Sequence, residues 1–196
     1  MFVTISITGK TPLLMHDIRL ADPDNEWAKA IGQITSKRKK TEEDRREIER
    51  LEWFGGLVVA PGIIEGPAYK TEAVRKCLIN AGKITKQGTQ LGRALTLVEQ
   101  FVPLVYDGPR NVEKLYDLPA FRHRACVGVG TSRVMRMRPQ FFPWSLSSKM
   151  FFLENVMDIG DLERIVELAG NAEGLGDNRI NGYGRFIGKV TVSNGN

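Results

Sequence analysis

The sequence predicts an α+β fold in which the core elements follow the order strand, helix, strand, strand, helix, strand. Residues 2–8 alternate between apolar and hydroxyl-bearing side chains, the pattern of a strand that is buried on one face. Two later segments, about 71–82 and 161–169, repeat apolar residues at the spacing of an amphipathic helix. Their apolar stripes consist of Val74, Cys77, Leu78 and Ala81 in the first helix and Leu162, Ile165, Val166 and Ala169 in the second. A glycine-rich stretch and a strand at 185–192 follow the second helix.

The first strand leads into a highly charged segment. Val3, Ile5 and Ile7 are predicted to face the core from that strand. Residues from about 20–54 are expected to form an inserted helical arm, because residues 36–50 hold seven basic and five acidic side chains and few apolar ones. Such a segment has little apolar surface to bury, so we expect it to project from the body of the domain.

Several strand-like segments follow the first helix. Residues 101–106 are predicted to form a short strand, and residues 125–138 form either one long strand or two strands broken at Gly128 and Gly130. Residues 150–156 are predicted to form another apolar strand. We expect this strand to pair with residues 125–138 in a hairpin with an extended tip.

Without its insertions this order is the βαββαβ plan of a ferredoxin-like or RRM-like fold. The plan places two helices on one face of a four-stranded antiparallel sheet and leaves the other face free for a ligand or for the inserted segments. A length of 196 residues suits one domain, so residues 1–196 are assigned to a single domain that carries the charged arm.

The composition is that of an ordinary globular protein with a small basic excess. Hydrophobic residues make up 42% and charged residues 26%, and the formal net charge is +5. This excess fits a polyanionic partner but does not demand one. Cys77 and Cys126 form no Cys-x-x-Cys pattern, so we expect no zinc site and no cofactor. We see no signal peptide and no apolar run of about 20 residues, and we predict a cytoplasmic protein without a membrane partner.

The glycine-rich stretch at residues 174–186 is the strongest candidate for a binding site. Its notable residues are Gly174, Gly176, Arg179, Gly182, Gly184 and Arg185. Glycine permits positive φ and close backbone approach, and successive amides in such a loop can form an anion-binding nest. The order helix, glycines, strand is the reverse of a dinucleotide fingerprint, and a Gly-Lys-Ser/Thr phosphate loop is lacking. The alternative is a tight connection that packs on the sheet without a ligand.

The loop sequence Gly-Leu-Gly-Asp-Asn-Arg-Ile-Asn-Gly-Tyr-Gly-Arg-Phe, between a helix and a strand, resembles the glycine-rich loop of the RAMP superfamily. These proteins are the ferredoxin-like RNA-binding subunits of CRISPR effector complexes. Residues 8–15 resemble the segment after the first strand in that family. Residues 61–75 are similar to the Pro-Gly-x-Ser-x-Lys-Gly-x-x-Arg sequence of the backbone-type subunits, with longer spacing and without its serine. The resemblance implies binding along a single strand, assembly of repeated copies, and contacts from Lys70 and Arg75.

Two further basic segments are predicted to contact nucleic acid. The arm carries four successive cations that can touch phosphates, and residues 122–138 carry only arginines among their basic side chains, with aromatic residues nearby. The assigned residues are Lys37, Arg38, Lys39 and Lys40 in the arm and Arg133, Arg136 and Arg138 in the second segment. The alternatives are a solvated helix with i,i+4 charge pairs and a surface hairpin held by ion pairs.

The leading functional prediction is a protein that binds single-stranded RNA or ssDNA and oligomerises along it, rather than a metabolic enzyme. The first alternative is a metal-independent endoribonuclease of the RNA-processing RAMP type, in which His16 or His123 acts as the general base. The second alternative is a non-enzymatic interaction or inhibitor protein that mimics a backbone subunit of a larger complex.

Overall fold

The computed structural model describes residues 1–130 and 132–193. Residue 131, within the predicted strand at 125–138, lies outside the described residues. Residues 194–196, at the end of the predicted domain, also lie outside them. The described helices are α1 (Glu26–Thr35), α2 (Glu42–Gly56), α3 (Thr71–Ile84), α4 (Gly88–Ala94), α5 (Val112–Asp117) and α6 (Ile159–Leu168). The described strands are β1 (Phe2–Gly9), β2 (Leu13–Leu14), β3 (Val59–Ala60), β4 (Ile64–Lys70), β5 (Leu95–Leu97), β6 (Phe101–Pro103), β7 (Val105–Tyr106), β8 (Arg122–Val129), β9 (Ser132–Phe141), β10 (Trp144–Phe152) and β11 (Phe186–Ser193).

The chain divides into two compact units. Unit 1 comprises Met1–Leu13, Val59–Gly108 and the described residues from Phe142 onward, and unit 2 comprises Leu14–Val58 and Pro109–Phe141. The predicted arm at about 20–54 therefore lies in the same unit as the arginine-rich segment. The assignment of the whole chain to a single domain stays a prediction.

Unit 1 contains an antiparallel sheet with the strand order β11–β1–β10–β5, and β7 also pairs with β10. Val3, Ile5 and Ile7 are each at most 1% exposed, so the predicted buried face of β1 is confirmed. α3 packs against α6, and α6 lies along β11. β3, β4 and β6 form a second, small sheet. The mixed arrangement of antiparallel sheets and helices confirms the predicted α+β class.

The buried stripes of α3 and α6 follow the predicted helical spacing. All eight predicted stripe residues are at most 3% exposed. α3 ends two residues later than expected, whereas α6 begins two residues earlier and ends one residue earlier than expected. A π-helical turn, Ala169–Glu173, continues α6 toward the glycine-rich loop. An amphipathic pattern thus identified both helices, because each has one face to bury.

Unit 2 consists of the β8–β9 hairpin, the helices α1, α2 and α5, and the turns between them. α2 packs on β9 and α1 packs on α2. The core of the unit contains Trp53, whose indole N–H donates to the Phe121 carbonyl at 2.8 Å. Phe54 and Tyr116 surround the Trp53 ring, and Trp27 of α1 stacks on Phe54 at a centroid distance of 5.9 Å. The last turns of α2 are therefore buried.

The predicted hairpin between residues 125–138 and residues 150–156 is wrong. The chain turns at Gly130, which has a φ of +58°, and β8 pairs with β9, so the first of these segments folds back on itself. β10 instead pairs with β1, and it begins at Trp144, six residues before the predicted strand. The alternating burial of β10 agrees with its position in this sheet, because one face of the strand joins the core of unit 1.

The predicted arm is two helices rather than one continuous projection. A capping box starts α2: the Thr41 hydroxyl accepts from the Asp44 amide at 3.2 Å, and the Asp44 carboxylate accepts from the Thr41 amide at 3.0 Å. This local hydrogen bonding separates α2 from α1. The basic residues Lys37–Lys40 therefore lie in the connection between two packed helices.

Candidate nucleic-acid interface

Unit 2 contains an open groove of about 530 Å³ between the helix pair and the hairpin. α1 and α2 form one wall and the first residues of β9, with Arg124 of β8, form the other. The lining residues are Leu20, Ala28, Ile31, Gly32, Thr35, Lys40, Arg45, Ile48, Glu49, Glu52, Arg124, Val134, Met135 and Arg136. The structure thus brings together two of the predicted site residues, one from the arm and one from the hairpin.

Two ion pairs connect the walls of this groove. Arg124 contacts Glu49 at 2.7 Å, and Arg136 contacts Glu52 at 3.5 Å. Hairpin arginines therefore neutralise both carboxylates of the lining. This resembles the alternative of a surface hairpin held by ion pairs, except that the carboxylates belong to α2 and not to the opposite strand of the hairpin. Arg136 thus connects the hairpin to α2, and its predicted contact with nucleic acid stays a prediction.

Glu52 is the most buried charged group of the groove. Its carboxylate is 7% exposed and accepts a hydrogen bond from the Met137 amide at 2.8 Å. Burial raises the pKa of Glu52, and the Met137 hydrogen bond and the nearby Arg136 charge oppose this rise without cancelling it. The carboxylate therefore supports the hairpin at the cost of desolvation.

Lys40 and Arg45 carry the positive charge of the groove that no carboxylate of the lining neutralises. The Lys40 ammonium donates to the Lys37 carbonyl at 3.2 Å. Arg45 is exposed on α2 and makes no ion pair with any residue that the structure describes. Because a phosphate is a stronger acceptor than a carbonyl, both side chains can serve an anionic ligand.

The rest of the lining is apolar and only partly covered. Val134 is 38% exposed and Met135 is 40% exposed, and none of the ten residues of α1, all of them described, is fully buried. Ala28, Ile31 and Ile48 add aliphatic surface from the helices. The groove therefore offers apolar surface beside cationic side chains, a combination that suits planar bases joined by phosphates.

The other predicted cations of unit 2 differ in their availability. Lys37 is paired with Asp44 at 2.6 Å, and Arg138 is buried at 9% exposure. Arg38, Lys39 and Arg133 are exposed, and within the described parts of the chain they form no ion pair. These three residues remain candidates for phosphate contacts, whereas the burial of Arg138 removes it from an exposed binding surface.

The two histidines lie outside the groove. His16 is exposed, and His123 lies opposite Arg138 in the hairpin register with its Nδ1 atom buried. Among the described residues that line the groove there is no histidine. Asp17, next to His16, is 5% exposed, accepts from the Arg19 amide at 3.1 Å and pairs with the Arg19 guanidinium. That carboxylate is committed to the local turn.

The glycine-rich loop belongs to unit 1 and has the backbone conformation that glycine permits. The φ angles are +75° at Gly174, +79° at Gly176, +84° at Gly182 and +69° at Gly184. The amides of all four glycines donate within the protein, to the Ala169 carbonyl, the Tyr69 hydroxyl, the Arg179 carbonyl and the Pro12 carbonyl, respectively. The predicted nest for a phosphate is therefore not formed by these amides, because each already has an acceptor.

Close backbone packing accounts for Gly184. The Leu175 amide donates to the Gly184 carbonyl at 2.9 Å, and a Cβ atom on Gly184 would lie 1.7 Å from the Leu175 carbonyl oxygen. Thr11, which follows β1, joins the same region, since its hydroxyl donates to the Gly182 carbonyl and accepts from the Arg185 amide. The loop is a tight connection against the end of β1, in agreement with the alternative to a ligand-binding nest.

The side chains of the loop keep some cationic character. Arg179 contacts Glu173 at 3.5 Å, and Arg185 donates through Nη2 to the Arg179 carbonyl at 3.2 Å. Nη1 of Arg185 is buried and has no hydrogen-bond partner within the described chain. Ile180, at the tip, is 94% exposed. A role for Arg179 and Arg185 in binding stays a prediction that rests on their side chains rather than on the loop amides.

Arg75 and Lys70 lie at the start of α3. Arg75 donates through Nε to the Leu95 carbonyl at 2.7 Å and through Nη2 to the Gly92 carbonyl at 2.5 Å. This arginine therefore holds the last turn of α4 and the residue after it against α3. Lys70 is the last residue of β4 and immediately precedes α3. These hydrogen bonds give Arg75 a structural role, whereas the sequence predicted only a contact with single-stranded nucleic acid.

Sequence reasoning missed Arg45 and the apolar side of α1 as parts of one groove. The available signal was the i, i+3 spacing of Ala28 and Ile31 on a helix otherwise described as solvated.

Within the described residues, every helix is too short or too polar to span a bilayer. A scan of the chain against protein-family models found no match, and a search of curated proteins also found none.

Proposed function

We propose that the protein binds single-stranded nucleic acid, RNA or ssDNA, and that the groove of unit 2 is its principal binding surface. The observation that carries this proposal is the uncompensated charge of Lys40 and Arg45 beside the partly exposed apolar side chains of Val134 and Met135. A single strand presents phosphates and unstacked bases together, so it can use both kinds of surface, whereas a duplex keeps its bases inside.

The distribution of charge supports a polyanionic ligand at unit 2. This unit carries 16 Lys and Arg residues against 12 Asp and Glu residues, while unit 1 carries 12 against 11. Four of the five excess positive charges thus belong to the unit with the groove. Arg38, Lys39 and Arg133 add exposed cations to the same unit. Local charge of this kind raises the concentration of an anionic strand near the surface.

We further propose that unit 1 is a ferredoxin-like domain and that the chain is related to the RAMP superfamily. The proposal is supported by the succession of β1, α3, β5, β10, α6 and β11 along the chain, in which β5 takes the place that was expected for residues 125–138. The position of the glycine-rich loop between α6 and β11 also supports the relationship. Assembly of several copies along a strand in the cytoplasm is part of this proposal.

A salt titration of binding tests the groove. Fluorescence anisotropy with labelled single strands of about 20 nucleotides, in RNA and in DNA form, gives Kd over a range of salt concentrations. We expect binding to both polymers that weakens as salt rises. Neutralising Lys40 and Arg45 together to Gln should lower the slope of log K against log salt by about 1.4, because each phosphate contact on a single strand contributes about 0.7.

A matched control is Lys114→Gln, an exposed lysine of unit 2 that does not line the groove. This variant also removes a positive charge. If the groove variants weaken binding only by lowering the net charge of the protein, Lys114→Gln should weaken binding as well. Absence of binding at about 50 mM salt would refute the function. A double variant that loses no more slope than the control would place the strand elsewhere. Cleavage of the labelled RNA in the presence of EDTA would favour the endoribonuclease alternative.

A further inference from the structure

The sheet of unit 1 has a second face whose side chains are outside the core. In β1 the residues between the buried Val3, Ile5 and Ile7 point to this face, and the strand register aligns them with outward residues of β11 and β10. The twelve positions that β1, β10 and β11 contribute to this outer face are Phe2, Thr4, Ser6, Thr8, Ser145, Ser147, Lys149, Phe151, Ile187, Lys189, Thr191 and Ser193.

The outer face is rich in hydroxyl groups and positively charged. Seven of its twelve residues are Ser or Thr, two are Lys, and the twelve include no Asp or Glu. Lys149 and Lys189 are exposed and lie in neighbouring rows, since Thr4 is opposite Lys149 and Ser6 is opposite Lys189. The nearest carboxylate that the contacts identify is Glu99, which accepts from the Lys149 amide at the β10 edge. The face is therefore complementary to an anionic partner.

An aromatic pair lies at one end of the outer face. The Phe2 and Phe151 rings are 5.6 Å apart in an edge-to-face arrangement, and the Lys149 ammonium lies 4.7 Å from the Phe2 centroid. Phe151 is 37% exposed. An exposed ring with a cation beside it can stack on a base while the cation meets the adjoining phosphate.

The dimensions of the face match a short single strand. The register between β1 and β10 covers seven residue pairs, and a rise of about 3.3 Å per residue gives a length of about 20 Å. Three strands spaced about 4.8 Å apart give a width of about 10 Å. A sheet face of this kind has room for two or three nucleotides with their bases against the strands.

We propose that the outer face of the unit 1 sheet is a second contact surface for single-stranded nucleic acid, with Phe151 stacking on a base and Lys149 and Lys189 contacting phosphates. The inference rests on the proposed function, since it assigns a further surface to the same ligand. The hydroxyl groups provide donors and acceptors for base edges and sugars. The core of a protein interface is usually apolar and poor in charged residues, whereas nine of these twelve positions are Ser, Thr or Lys.

Anisotropy measurements on three variants test the surface. Phe151→Leu retains apolar bulk but removes the ring, and we expect Kd to rise about fivefold or more, because base–aromatic stacking contributes that much affinity. Phe142→Leu is the matched control, since Phe142 is 56% exposed but lies outside the outer face, and its Kd should stay within about twofold of the wild-type value. Lys149→Gln combined with Lys189→Gln should lower the salt slope by about 1.4.

Photocrosslinking gives a direct second measurement. RNA substituted with 4-thiouridine should crosslink to peptides from β1 or β10 of the wild-type protein. Far-UV circular dichroism establishes that each variant is folded, and light scattering gives its oligomeric state.

The outcomes separate this inference from the proposed function. Loss of affinity in Phe151→Leu with crosslinks in β1 or β10 supports the second surface. If the Lys40 and Arg45 variants weaken binding but the Phe151 and lysine variants do not, the second surface is refuted while the groove stands. A change of oligomeric state in Phe151→Leu without a change in Kd assigns the face to self-association and overturns the inference. Failure of the wild-type protein to bind either polymer removes both proposals.

Discussion

Gly184 and Gly182 lie in the same loop with similar φ angles but very different surroundings. A Cβ atom on Gly184 would lie 1.7 Å from the Leu175 carbonyl oxygen, whereas a Cβ atom on Gly182 would have no heavy atom within 4 Å. Substituting each glycine with alanine therefore separates the cost of the backbone conformation from the cost of close packing. Gly182→Ala is the matched control for Gly184→Ala.

The two substitutions should destabilise the fold by clearly different amounts. A non-glycine residue in the left-handed region costs about 1–2 kcal/mol, which is the whole expected effect at Gly182. At Gly184 the Leu175 carbonyl would have to move by roughly 1.6 Å to reach an ordinary carbon–oxygen separation. That movement disrupts the hydrogen bonds from Leu175 to Gly184 and from Gly184 to Pro12, each worth about 1 kcal/mol, so we expect about 3 kcal/mol or more in total.

Urea denaturation followed by circular dichroism measures both free energies of unfolding. If the two variants lose the same stability within about 0.5 kcal/mol, the close approach of Gly184 to Leu175 is not a constraint on the fold and the reasoning fails. The less damaging Gly182→Ala variant is also informative for binding. Its amide donates to the Arg179 carbonyl, so its Kd for single strands should match that of the wild type. A large loss of affinity in that variant would show that the loop backbone contacts the ligand.

Two further predictions concern buried titratable groups. Because burial raises the folded-state pKa of Glu52 above its unfolded value, its protonated form is favoured in the folded chain, and this contribution to stability is lost as pH rises through the raised pKa. Glu52→Gln keeps an acceptor for the Met137 amide and should be at least as stable as the wild type near neutral pH. In urea titrations, the difference in free energy of unfolding in favour of this variant should shrink toward pH 4.5. A difference that grows on acidification would contradict a raised pKa of Glu52. Burial also raises the pKa of the Cys77 thiol to about 12, while Cys126 is exposed, so a thiol reagent at mildly alkaline pH should modify one cysteine per folded chain. Cys126→Ser should abolish that rapid reaction, and persistence of it would show that Cys77 is accessible.

The elements with strict periodicity could be predicted from the sequence. The alternation around Ile5 and the stripe around Leu78 each follow from one face that must be buried, and both were placed correctly. The partner of β10 could not be predicted in this way, because alternation shows which face is buried but not which strand lies alongside. The turn at Gly130 makes β8 pair with β9, so β10 pairs with another strand. The sequence did not reveal this turn, because a glycine within a strand-like segment indicates a bulge as readily as a reversal.

The candidate site was predictable only in part. The sequence shows the cationic residues, but not which of them form salt bridges, as Arg136 does, and which do not, as Lys40 does not within the described residues. Arg136 is paired with Glu52 on α2. The sequence pattern indicated a solvated helix there, because α2 buries mainly its last turns. The glycines of the loop were identified correctly as positions of positive φ, yet the Gly184 and Gly176 amides donate to Pro12 and Tyr69, which are distant in the sequence. Such long-range hydrogen bonds leave no local signal.

The pairing of β1 has a consequence for the order of folding. Ser145, the partner of Thr8, lies 137 residues later in the chain, and the β11 partners lie later still. A ribosome therefore releases β1 long before either neighbouring strand is synthesised. During that interval both backbone edges of β1 and its apolar side chains lack their native partners, and contacts of such high sequence separation form slowly. Until β10 and β11 emerge, this strand is open to non-native pairing, whereas the two strands of the β8–β9 hairpin follow each other directly in the chain.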